Sequence, residues 1–392
     1  MCKWLLKQTV HPAALSCACL LACGAPPAFS AEWSVTPVYS SSADYASNRR
    51  LLTDARGTGS AILSADLRFK RALEDLEIVI EPRYAFRRYT DSTLGNGDDR
   101  GISASLAQTR ERSTLQVTAS FLDQSTLTTE LLETGIVTGN THRRQTQAAG
   151  TWSWSQTELR QLITQLSYVD VSYYGQAQAA LPGFRYPSGS VGERFALSEN
   201  GSITVSAFGS ALSSDVRGGS NHEYGLQAEL IYSLSERTHF DGSIGESARL
   251  LAGQSSHGTD ANIALTRDFT RGNLALTYNR SLAPYGIGFL VERQQATASG
   301  SYQMTPYLNV SIALLRIQNN DTTVRLGLDR RSIDSLSTSL TWRPTETWSL
   351  ALQLADIRTQ TVALLGSQTR SVTGWSSVVS LIWSPPPRAS SW

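Results

Sequence analysis

Large and small side chains alternate with a period of two through residues 331–360. On each half of this segment every second position is large and mostly apolar, whereas the positions between are serine, threonine, alanine or glutamine. The large positions are Leu336, Thr338, Leu340 and Trp342 before the centre, and Trp348, Leu350, Leu352 and Leu354 after it. Because a turn at residues 344–346 separates the halves, the pattern predicts a β-hairpin with one apolar face.

The two faces of this hairpin indicate which solvent each one meets. Tryptophan stands on both arms close to the turn, and the opposite face carries hydroxyl and amide groups. A soluble β-sandwich buries its apolar face and surrounds it with charge, whereas a transmembrane barrel turns that face to lipid, anchors it with aromatic residues and keeps a polar lumen. The segment is therefore predicted to be a membrane-spanning hairpin.

The same unit recurs along the chain. Short turns are predicted at residues 71–75, 111–113, 156–158, 199–201, 235–237, 270–272, 305–306 and 344–346. Their spacing of roughly 35 to 45 residues fits two strands of about 10 to 14 residues, one tight turn and one longer loop. The longer polar connections are predicted at residues 42–58, 91–99, 125–140, 174–188, 214–221, 251–258 and 283–289.

These hairpins predict an all-β fold, a single antiparallel transmembrane β-barrel of about 18 strands with short periplasmic turns and longer extracellular loops. The first strand is predicted at residues 33–41 and the last at residues 370–383. Sixteen strands is the alternative, because residues 189–215 and 319–329 alternate poorly. Pro82 falls inside a predicted strand, where proline marks an edge or a bulge.

The N-terminal segment has the pattern of a secretory signal peptide. Lys3 and Lys7 precede an apolar stretch at residues 13–23, which is too short to span a bilayer, and small residues precede position 31 as a cleavage site requires. We therefore expect two parts, a signal peptide at residues 1–30 and the barrel at residues 31–392. The chain is then predicted to reach the outer membrane of a Gram-negative bacterium.

All four cysteines of the sequence lie in the predicted signal peptide. Cleavage before position 31 leaves no thiol, so we expect no disulfide and no cysteine ligand in the mature chain. A lipoprotein processing box ending at Cys23, which would then carry lipid, is the alternative interpretation of the same segment.

Charge and hydropathy exclude two other classes of protein. The net charge is +1, and losing Lys3 and Lys7 with an N-terminal segment that has no acidic residue leaves −1. Such a balance argues against a nucleic-acid partner, since nucleic-acid binders usually have a basic surface. Beyond residue 30 no run of 18 apolar residues occurs, which argues against a helical membrane protein. The mean hydropathy of −0.20 does not distinguish a soluble protein from a membrane barrel. In a barrel strand, apolar lipid-facing residues alternate with polar lumen-facing ones, so the mean over the chain stays low.

Aromatic residues cluster where the predicted strands meet the short turns, as an interfacial girdle requires. The candidate girdle residues are Phe69, Trp154, Tyr232, Phe269, Tyr302, Tyr307, Trp342, Trp348 and Trp383. A second set lies toward the predicted loops and could form the opposite girdle, namely Tyr39, Tyr84, Phe86, Phe121, Tyr168, Tyr278 and Phe289. These positions predict lipid of the outer membrane as a partner.

Charged residues share one face of the second and third predicted strands. The candidate pore-lining residues are Asp66, Arg68, Lys70, Glu81, Arg83 and Arg87. They are predicted to face the lumen, because an arginine or lysine on the lipid face near the midplane would cost about 2 to 4 kcal/mol. Two interpretations stay open: a basic wall that guides an anionic solute, and a self-neutralising network of acids and arginines.

The sequence holds no clear catalytic or cofactor motif. The mature histidines, His142, His222, His239 and His257, lack the spacing of a metal site, and no phosphate loop or nucleophile elbow occurs. A lipid-hydrolysing barrel would need a serine and a histidine on neighbouring strands, and His239 near Asp241 is the one pairing to inspect. We therefore expect no enzyme activity, no cofactor and no metal.

Three segments resemble uncharacterised proteobacterial outer-membrane β-barrel proteins of the kind associated with exosortase and exopolysaccharide gene clusters. They are WSVTPVYSSSADYASN at 33–48, RERSTLQVTASFLDQSTLTTELLETG at 110–135 and NRSLAPYGIGFLVERQQATASGSYQMTPYLNVSIAL at 279–314. The resemblance implies a barrel that helps a polysaccharide, or proteins of an export system, across the outer membrane. It implies no functional residues.

Three functions follow in order of preference. The first is a porin-like passive channel, linked through the resemblance to exopolysaccharide export. The second is a structural or assembly barrel whose lumen is plugged by its own side chains and whose loops bind partners. The third is an outer-membrane lipid hydrolase.

Overall fold

The computed structural model describes residues 32–133, 141–175, 181–215, 221–251, 253–285, 288–320, 330–362 and 369–391. The strands in chain order are β1 (Glu32–Ala46), β2 (Thr58–Ala72), β3 (Leu76–Tyr89), β4 (Gly97–Arg110), β5 (Ser113–Ser125), β6 (Thr141–Ser155), β7 (Arg160–Gly175), β8 (Phe184–Ser198), β9 (Gly201–Ser214), β10 (Asn221–Ser235), β11 (Thr238–Leu251), β12 (Gln254–Phe269), β13 (Gly272–Tyr285), β14 (Phe289–Thr305), β15 (Leu308–Asn320), β16 (Arg330–Trp342), β17 (Trp348–Val362), β18 (Thr369–Trp383) and β19 (Arg388–Ser391). A short α-helix, α1 (Thr126–Glu133), follows β5, and a 3-10 turn covers Ser92–Leu94.

The strands form one closed antiparallel barrel. Each of β1 to β17 pairs with the strand that follows it, and β1 also pairs with β18, with Tyr39 opposite Trp383. After β18 the chain passes through three consecutive prolines at 385–387, which lack the N–H groups that a ladder needs. It then rejoins β1 as the four-residue β19. The prediction of an 18-strand antiparallel barrel is confirmed, with β19 as a short continuation of the last wall.

Exposure alternates along each strand and separates the outer face from the inner one. On β17 the side chains of Leu350, Leu352 and Leu354 are 39 to 50% exposed. On the opposite parity of neighbouring strands, Ile317 and Ile333 are 1 to 2% exposed. Rows of exposed leucine, isoleucine and valine recur around the barrel and form its lipid-facing band, and the alternate positions face the lumen.

The short turns lie where the sequence places them, and we call that end of the barrel the turn end and the opposite one the loop end. Two predicted loops are much shorter than expected: β11 runs to Leu251 and β12 starts at Gln254, while β13 runs to Tyr285 and β14 starts at Phe289. The prediction of loops at 251–258 and 283–289 was therefore wrong for residues 254–258 and 283–285, which belong to β12 and β13. Glycine and serine in these segments suggested loops, but backbone pairing between the two strands of each hairpin continues into them.

The loop end also holds structure that the sequence pattern did not predict. Strand β1 continues five residues beyond the predicted end at 41, because it pairs with both β2 and β18 up to Ala46. Helix α1 occupies part of the predicted loop at 125–140. Asp91 precedes the 3-10 turn, where its carboxylate accepts hydrogen bonds from the backbone N–H and the hydroxyl of Thr93 at 2.9 and 2.8 Å. These hydrogen bonds hold the pKa of the Asp91 carboxyl below its usual range.

Pro82 interrupts a ladder without shifting its register. On β3 it pairs with Ile102 of β4. On the other side, the β2 and β3 pairs pass from Asp66 opposite Arg83 directly to Phe69 opposite Ile80, with no change of register. The proline therefore removes backbone pairing between β2 and β3 locally, and it does not produce the bulge that was one of the two expectations. Of the two poorly alternating regions, 189–215 forms most of β8 and β9, and residues 321–329 lie outside the described residues.

The β13–β14 hairpin leaves the wall near the loop end. The pairing of β12 with β13 stops at Ala261 opposite Arg280, although β13 continues to Tyr285 and stays paired with β14. Strand β14 approaches β9, which is five strands away around the wall. Such an approach requires the hairpin tip to fold inward over the lumen. No helix among the described residues is long and apolar enough to cross a membrane.

Candidate functional site

The inner face of β2 and β3 carries the charged residues that were predicted to line a pore. The structure joins them in pairs: Arg83 with Asp66 at 3.5 Å, and Arg68 with Glu81 at 3.3 Å. Lys70 does not reach a predicted partner, and its Nζ lies 2.9 Å from a carboxylate oxygen of Glu77, a residue that sequence reasoning missed. The six side chains of these pairs are between 37 and 61% exposed.

This arrangement favours the self-neutralising network over the basic wall. Each of the three acids faces one base, so little net charge is left to attract an anion. Arg87, the remaining candidate, stacks its guanidinium 5.9 Å from the ring of Tyr89 near the loop end of β3. Because the pairs are solvent-exposed, each one stabilises the barrel by at most about 1 kcal/mol.

A different charge cluster lies on the opposite wall. In a ring of 18 strands β2 and β11 stand nine positions apart, so the inner faces of β2–β3 and β10–β12 oppose each other. Arg249 of β11 binds Glu223 of β10 through Nε at 3.0 Å, and Asp260 of β12 through a terminal nitrogen at 2.9 Å. The Ser247 hydroxyl lies 2.9 Å from Glu223 and 3.1 Å from Asp260. We call Glu223, Ser247, Arg249 and Asp260 the buried ion cluster.

The buried ion cluster differs from the β2–β3 pairs in its environment. The side chains of Arg249 and Glu223 are 4 and 5% exposed, and that of Asp260 is 15% exposed. Two carboxylates share one guanidinium, which therefore has partners on both sides. Removing one partner of such a buried group leaves an uncompensated charge and is strongly destabilising.

A polar cavity lies beside this cluster on the inner face of β6 to β13. Its volume is about 410 Å³. Most of its lining side chains carry hydroxyl or amide groups, including Gln165, Ser190, Gln227, Asn262 and Asn279. Glu223 and Asp260 also line it. The cavity can therefore exchange hydrogen bonds with a hydroxylated solute or with water, and Leu166, Phe208 and Leu282 give it apolar surface as well.

The loop-end side of the lumen holds an apolar cluster, the mouth cluster. Its members come from the ends of six strands and from the connection before β8: Val171, Tyr173, Leu181, Phe184, Leu212, Leu251, Leu282 and Leu290. All are at most 5% exposed. Leu282 and Leu290 belong to the inward-folded β13–β14 hairpin, so this hairpin is held over the lumen by packing against the walls.

Polar contacts tie the mouth cluster to α1. The hydroxyl of Tyr173 donates to Glu130 of α1 at 2.9 Å, and Arg143 of β6 lies 3.5 Å from the same carboxylate. Glu130 is fully buried, at 0% exposure. The helix is therefore fixed against the inner face of β6 and β7. Sequence reasoning missed this contact because it joins residues 43 apart that belong to separate hairpins.

The candidate girdle residues lie at the turn end. Eight of the nine have rings between 38 and 61% exposed on the outer face. The ninth, Phe69, is half-buried. Trp348 stacks on Trp383 with ring centroids 6.1 Å apart, and Tyr39 stacks on the other side of Trp383 at 5.6 Å. Tyr39 therefore stands in the turn-end row and not in the loop-end set where the sequence put it, because β1 is staggered against β18.

The histidines are separated. His239 Nδ1 lies 3.0 Å from the Ser233 hydroxyl on the neighbouring strand, but no hydrogen bond joins His239 to Asp241 in the described part of the chain. A serine and histidine without an orienting acid lack the arrangement of a hydrolytic triad. His142 lies against Asp123 and Tyr174 on the outer face. Within the described ranges no group of three histidine, cysteine, aspartate or glutamate residues is placed to hold a metal ion.

No protein-family model matches this chain, and no curated protein matches it. Among solved structures, OpdQ of Pseudomonas aeruginosa is 12% identical, with 90% of this chain and 99% of that chain covered and a TM-score of 0.48. OccAB3 of Acinetobacter baumannii is 10% identical, with 91 and 99% covered and a TM-score of 0.48. The siderophore receptor PirA of Pseudomonas aeruginosa is 10% identical, with 92 and 81% covered and a TM-score of 0.46. At these values no residue role is transferred to this chain.

Proposed function

We propose that this chain is an outer-membrane channel through which small hydrophilic solutes diffuse. The observation that carries the proposal is the cavity of about 410 Å³ lined by hydroxyl and amide groups on the inner wall of a closed barrel. A barrel whose outer band is apolar and whose inner face is polar is built to separate lipid from water. Diffusion needs no cofactor and no catalytic group.

The size of the barrel supports this proposal. Eighteen strands spaced about 4.8 Å apart and tilted by about 40° give a backbone diameter of about 35 Å. Barrels of 16 to 18 strands ordinarily leave an aqueous channel after side chains fill part of the lumen. In this chain the mouth cluster and the inward-folded hairpin narrow the entrance at the loop end, which restricts passage to small solutes.

The pairing of charges on the inner walls indicates the class of solute. On β2–β3 each acid faces a base, and on β10–β12 one arginine is shared by two acids. Neither wall presents a free row of one sign. We therefore expect neutral hydroxylated solutes, such as monosaccharides, to pass, and ions to be discriminated weakly.

A vesicle-swelling experiment tests this function. The refolded mature chain in lipid vesicles should admit glucose, and should admit gluconate and glucosamine at comparable rates. Ser190→Phe, which fills the cavity, should slow the entry of glucose. The matched control is Val191→Phe, since Val191 is the next residue, lies on the outer face and is 50% exposed. Its swelling rate should equal that of the unsubstituted chain.

Two results would contradict the proposal. Absence of swelling with all three solutes, from protein that is inserted and heat-modifiable, would exclude an open channel. A strong preference for gluconate would show that an anionic solute, and not a neutral one, is favoured. That result would support the interpretation of β2–β3 as a basic wall.

The second candidate is a plugged structural barrel, and the mouth cluster is the observation that favours it. Eight apolar side chains packed over one side of the lumen resemble a closure more than a pore lining. Under this alternative the loops bind partners and no solute passes. The link to exopolysaccharide export rests on the sequence resemblance and stays a prediction, as does the absence of enzyme activity.

A further inference from the structure

A compact polar cluster interrupts the outer face of the barrel at the loop end of β4 to β7. Arg100, Asp123 and Arg144 have the same strand parity as Ile102, Phe121 and Trp152, whose side chains are 37 to 46% exposed on the lipid-facing side. Asp123 comes two residues after Phe121, toward the loop end. The cluster therefore lies on the outer surface, above the apolar band.

Asp123 is the centre of this cluster. The terminal nitrogen of Arg100 lies 3.0 Å from one carboxylate oxygen, and Nε of Arg144 lies 3.4 Å from the same atom. The hydroxyl of Tyr174 donates to the other oxygen at 2.7 Å, and Nδ1 of His142 lies 3.3 Å from it. These partners cover Asp123 so completely that its side chain is 1% exposed.

The two guanidinium groups are held in place and still reach solvent. The side chain of Arg100 is 50% exposed and that of Arg144 is 40% exposed. Arg144 also packs over the ring of Tyr174, 4.4 Å from its centroid. One carboxylate faces two guanidinium groups, so the group of contacts keeps a positive charge. A planar guanidinium with a fixed orientation and free N–H groups matches the geometry of a phosphate.

The position of the cluster along the barrel axis indicates that the phosphate belongs to a lipid headgroup. Arg144 lies ten residues along β6 from Trp154, the girdle residue at the turn end of this strand. At about 3.3 Å per residue and a tilt of about 40° this is about 25 Å along the barrel axis. The apolar band of a membrane barrel is about 25 Å tall. Arg100 and Arg144 therefore stand at the level of the headgroups of the extracellular leaflet.

We propose that Arg100 and Arg144, oriented by Asp123, bind a phosphate group of a lipid in the outer leaflet of the outer membrane. The proposal rests on the outer-membrane location given above, but not on an open lumen. Arg185 of β8, on the next part of the same face, is paired with Asp170 at 3.2 Å and adds no net charge to this cluster. Basic clusters at the membrane surface are a recurring means of recognising anionic lipid headgroups.

Native mass spectrometry of the detergent-purified barrel tests the site, with lipid A as the probe. The unsubstituted chain should retain lipid A and should lose it when the lipid is dephosphorylated. Arg100→Ala with Arg144→Ala should weaken retention by at least about tenfold, because charge-assisted guanidinium contacts to phosphate are lost. The matched control is Arg316→Ala. Arg316 is also an outer-face arginine, 64% exposed and 3.7 Å from Asp334, but it has no buried acid to orient it.

Each outcome decides the proposal. Loss of retention in the double variant with retention in Arg316→Ala supports it. Unchanged retention in the double variant, or an equal loss in the control, would overturn it, since binding would then come from general surface charge. Retention of inorganic phosphate alone, without retention of lipid A, would overturn it as well.

A second variant keeps the test valid if the double alanine variant does not fold. Arg100→Lys with Arg144→Lys preserves both charges and removes the two-pronged contact, so lipid A retention should fall while the heat-modifiable barrel persists. Vesicle swelling by the same protein should be unchanged. Failure of lipid binding is thereby separated from failure of the channel.

Discussion

Charged residues in this barrel contribute very differently to its stability, because they differ in how deeply they are buried. The ion pairs of β2 and β3 are half-exposed and contribute little to stability. The buried ion cluster removes nearly the whole side chains of Arg249 and Glu223 from solvent. The sequence indicated the first group by its shared parity, but not the second, because Glu223, Arg249 and Asp260 come from three separate strands and look like ordinary loop-end polarity.

Removing the shared guanidinium should therefore destabilise the barrel. Arg249→Ala leaves Glu223 and Asp260 buried without their cation, and we expect the free energy of unfolding to fall by about 3 to 5 kcal/mol. Urea unfolding in lipid vesicles, followed by tryptophan fluorescence, measures it. Arg68→Ala is the control and should cost at most about 1 kcal/mol. Equal losses in the two variants would show that burial does not determine how much each ion pair contributes to the free energy of unfolding.

Gly258 is required by the position of the Arg249 side chain. A Cβ at this position would overlap the guanidinium of Arg249. Gly258→Ala should therefore displace Arg249 from the buried ion cluster and cost about 1 to 3 kcal/mol, as overpacking commonly does. The same unfolding measurement applies. Gly300→Ala is the control, since the nearest atom to a Cβ there is 3.5 Å away, and a loss as large as that of Gly258→Ala would contradict the account.

The outer cluster around Asp123 had a signal in the sequence that was not used. Phe121 and Asp123 share parity, so a charged residue was already visible on a face otherwise assigned to lipid. The interpretation of that face as uniformly apolar hid it. Arg100 and Arg144 were harder to associate with Asp123, since the partnership depends on the register of β4, β5 and β6.

At the level of the elements, alternation predicted the strands well, because the two faces of a strand can be recognised from its own consecutive residues. Residues 331–360 form β16, its turn and β17 as predicted, and the last strand starts within one residue of the expected position. Helix α1 was missed because eight residues are too few for a helical period to stand out. The inward fold of the β13–β14 hairpin was missed because it depends on packing of Leu282 and Leu290 against distant strands.

The inward position of this hairpin can be tested by cross-linking. Leu212 and Leu290 both belong to the mouth cluster, although β9 and β14 are five strands apart around the wall. Leu212→Cys with Leu290→Cys, in a chain that starts at residue 31 and so contains no other cysteine, should be joined by a short bismaleimide reagent. Leu212→Cys with Leu314→Cys is the control, because Leu314 of β15 is 51% exposed on the outer face. Absence of the cross-link in the first variant would mean that the hairpin stays in the wall.

At the scale of the whole molecule, the barrel combines an apolar outer band, a polar lumen and a packed entrance. Both the fold and the outer aromatic rows could be predicted because lipid imposes the same alternation on every strand. The state of the lumen could not, since it is decided by side chains that meet across the barrel. The mouth cluster draws on β7, β8, β9, β11, β13 and β14, and no local pattern brings these residues together.

Single-channel conductance of the refolded chain from residue 31, measured in a planar bilayer, distinguishes an open channel from a plugged barrel. A polar lumen with paired charges should give stable conductance steps with weak preference between anions and cations. Arg83→Ala frees Asp66 from its partner and should shift that preference toward cations without abolishing the steps. Absence of conductance steps from protein shown to be inserted and heat-modifiable would contradict the channel and favour the plugged structural barrel.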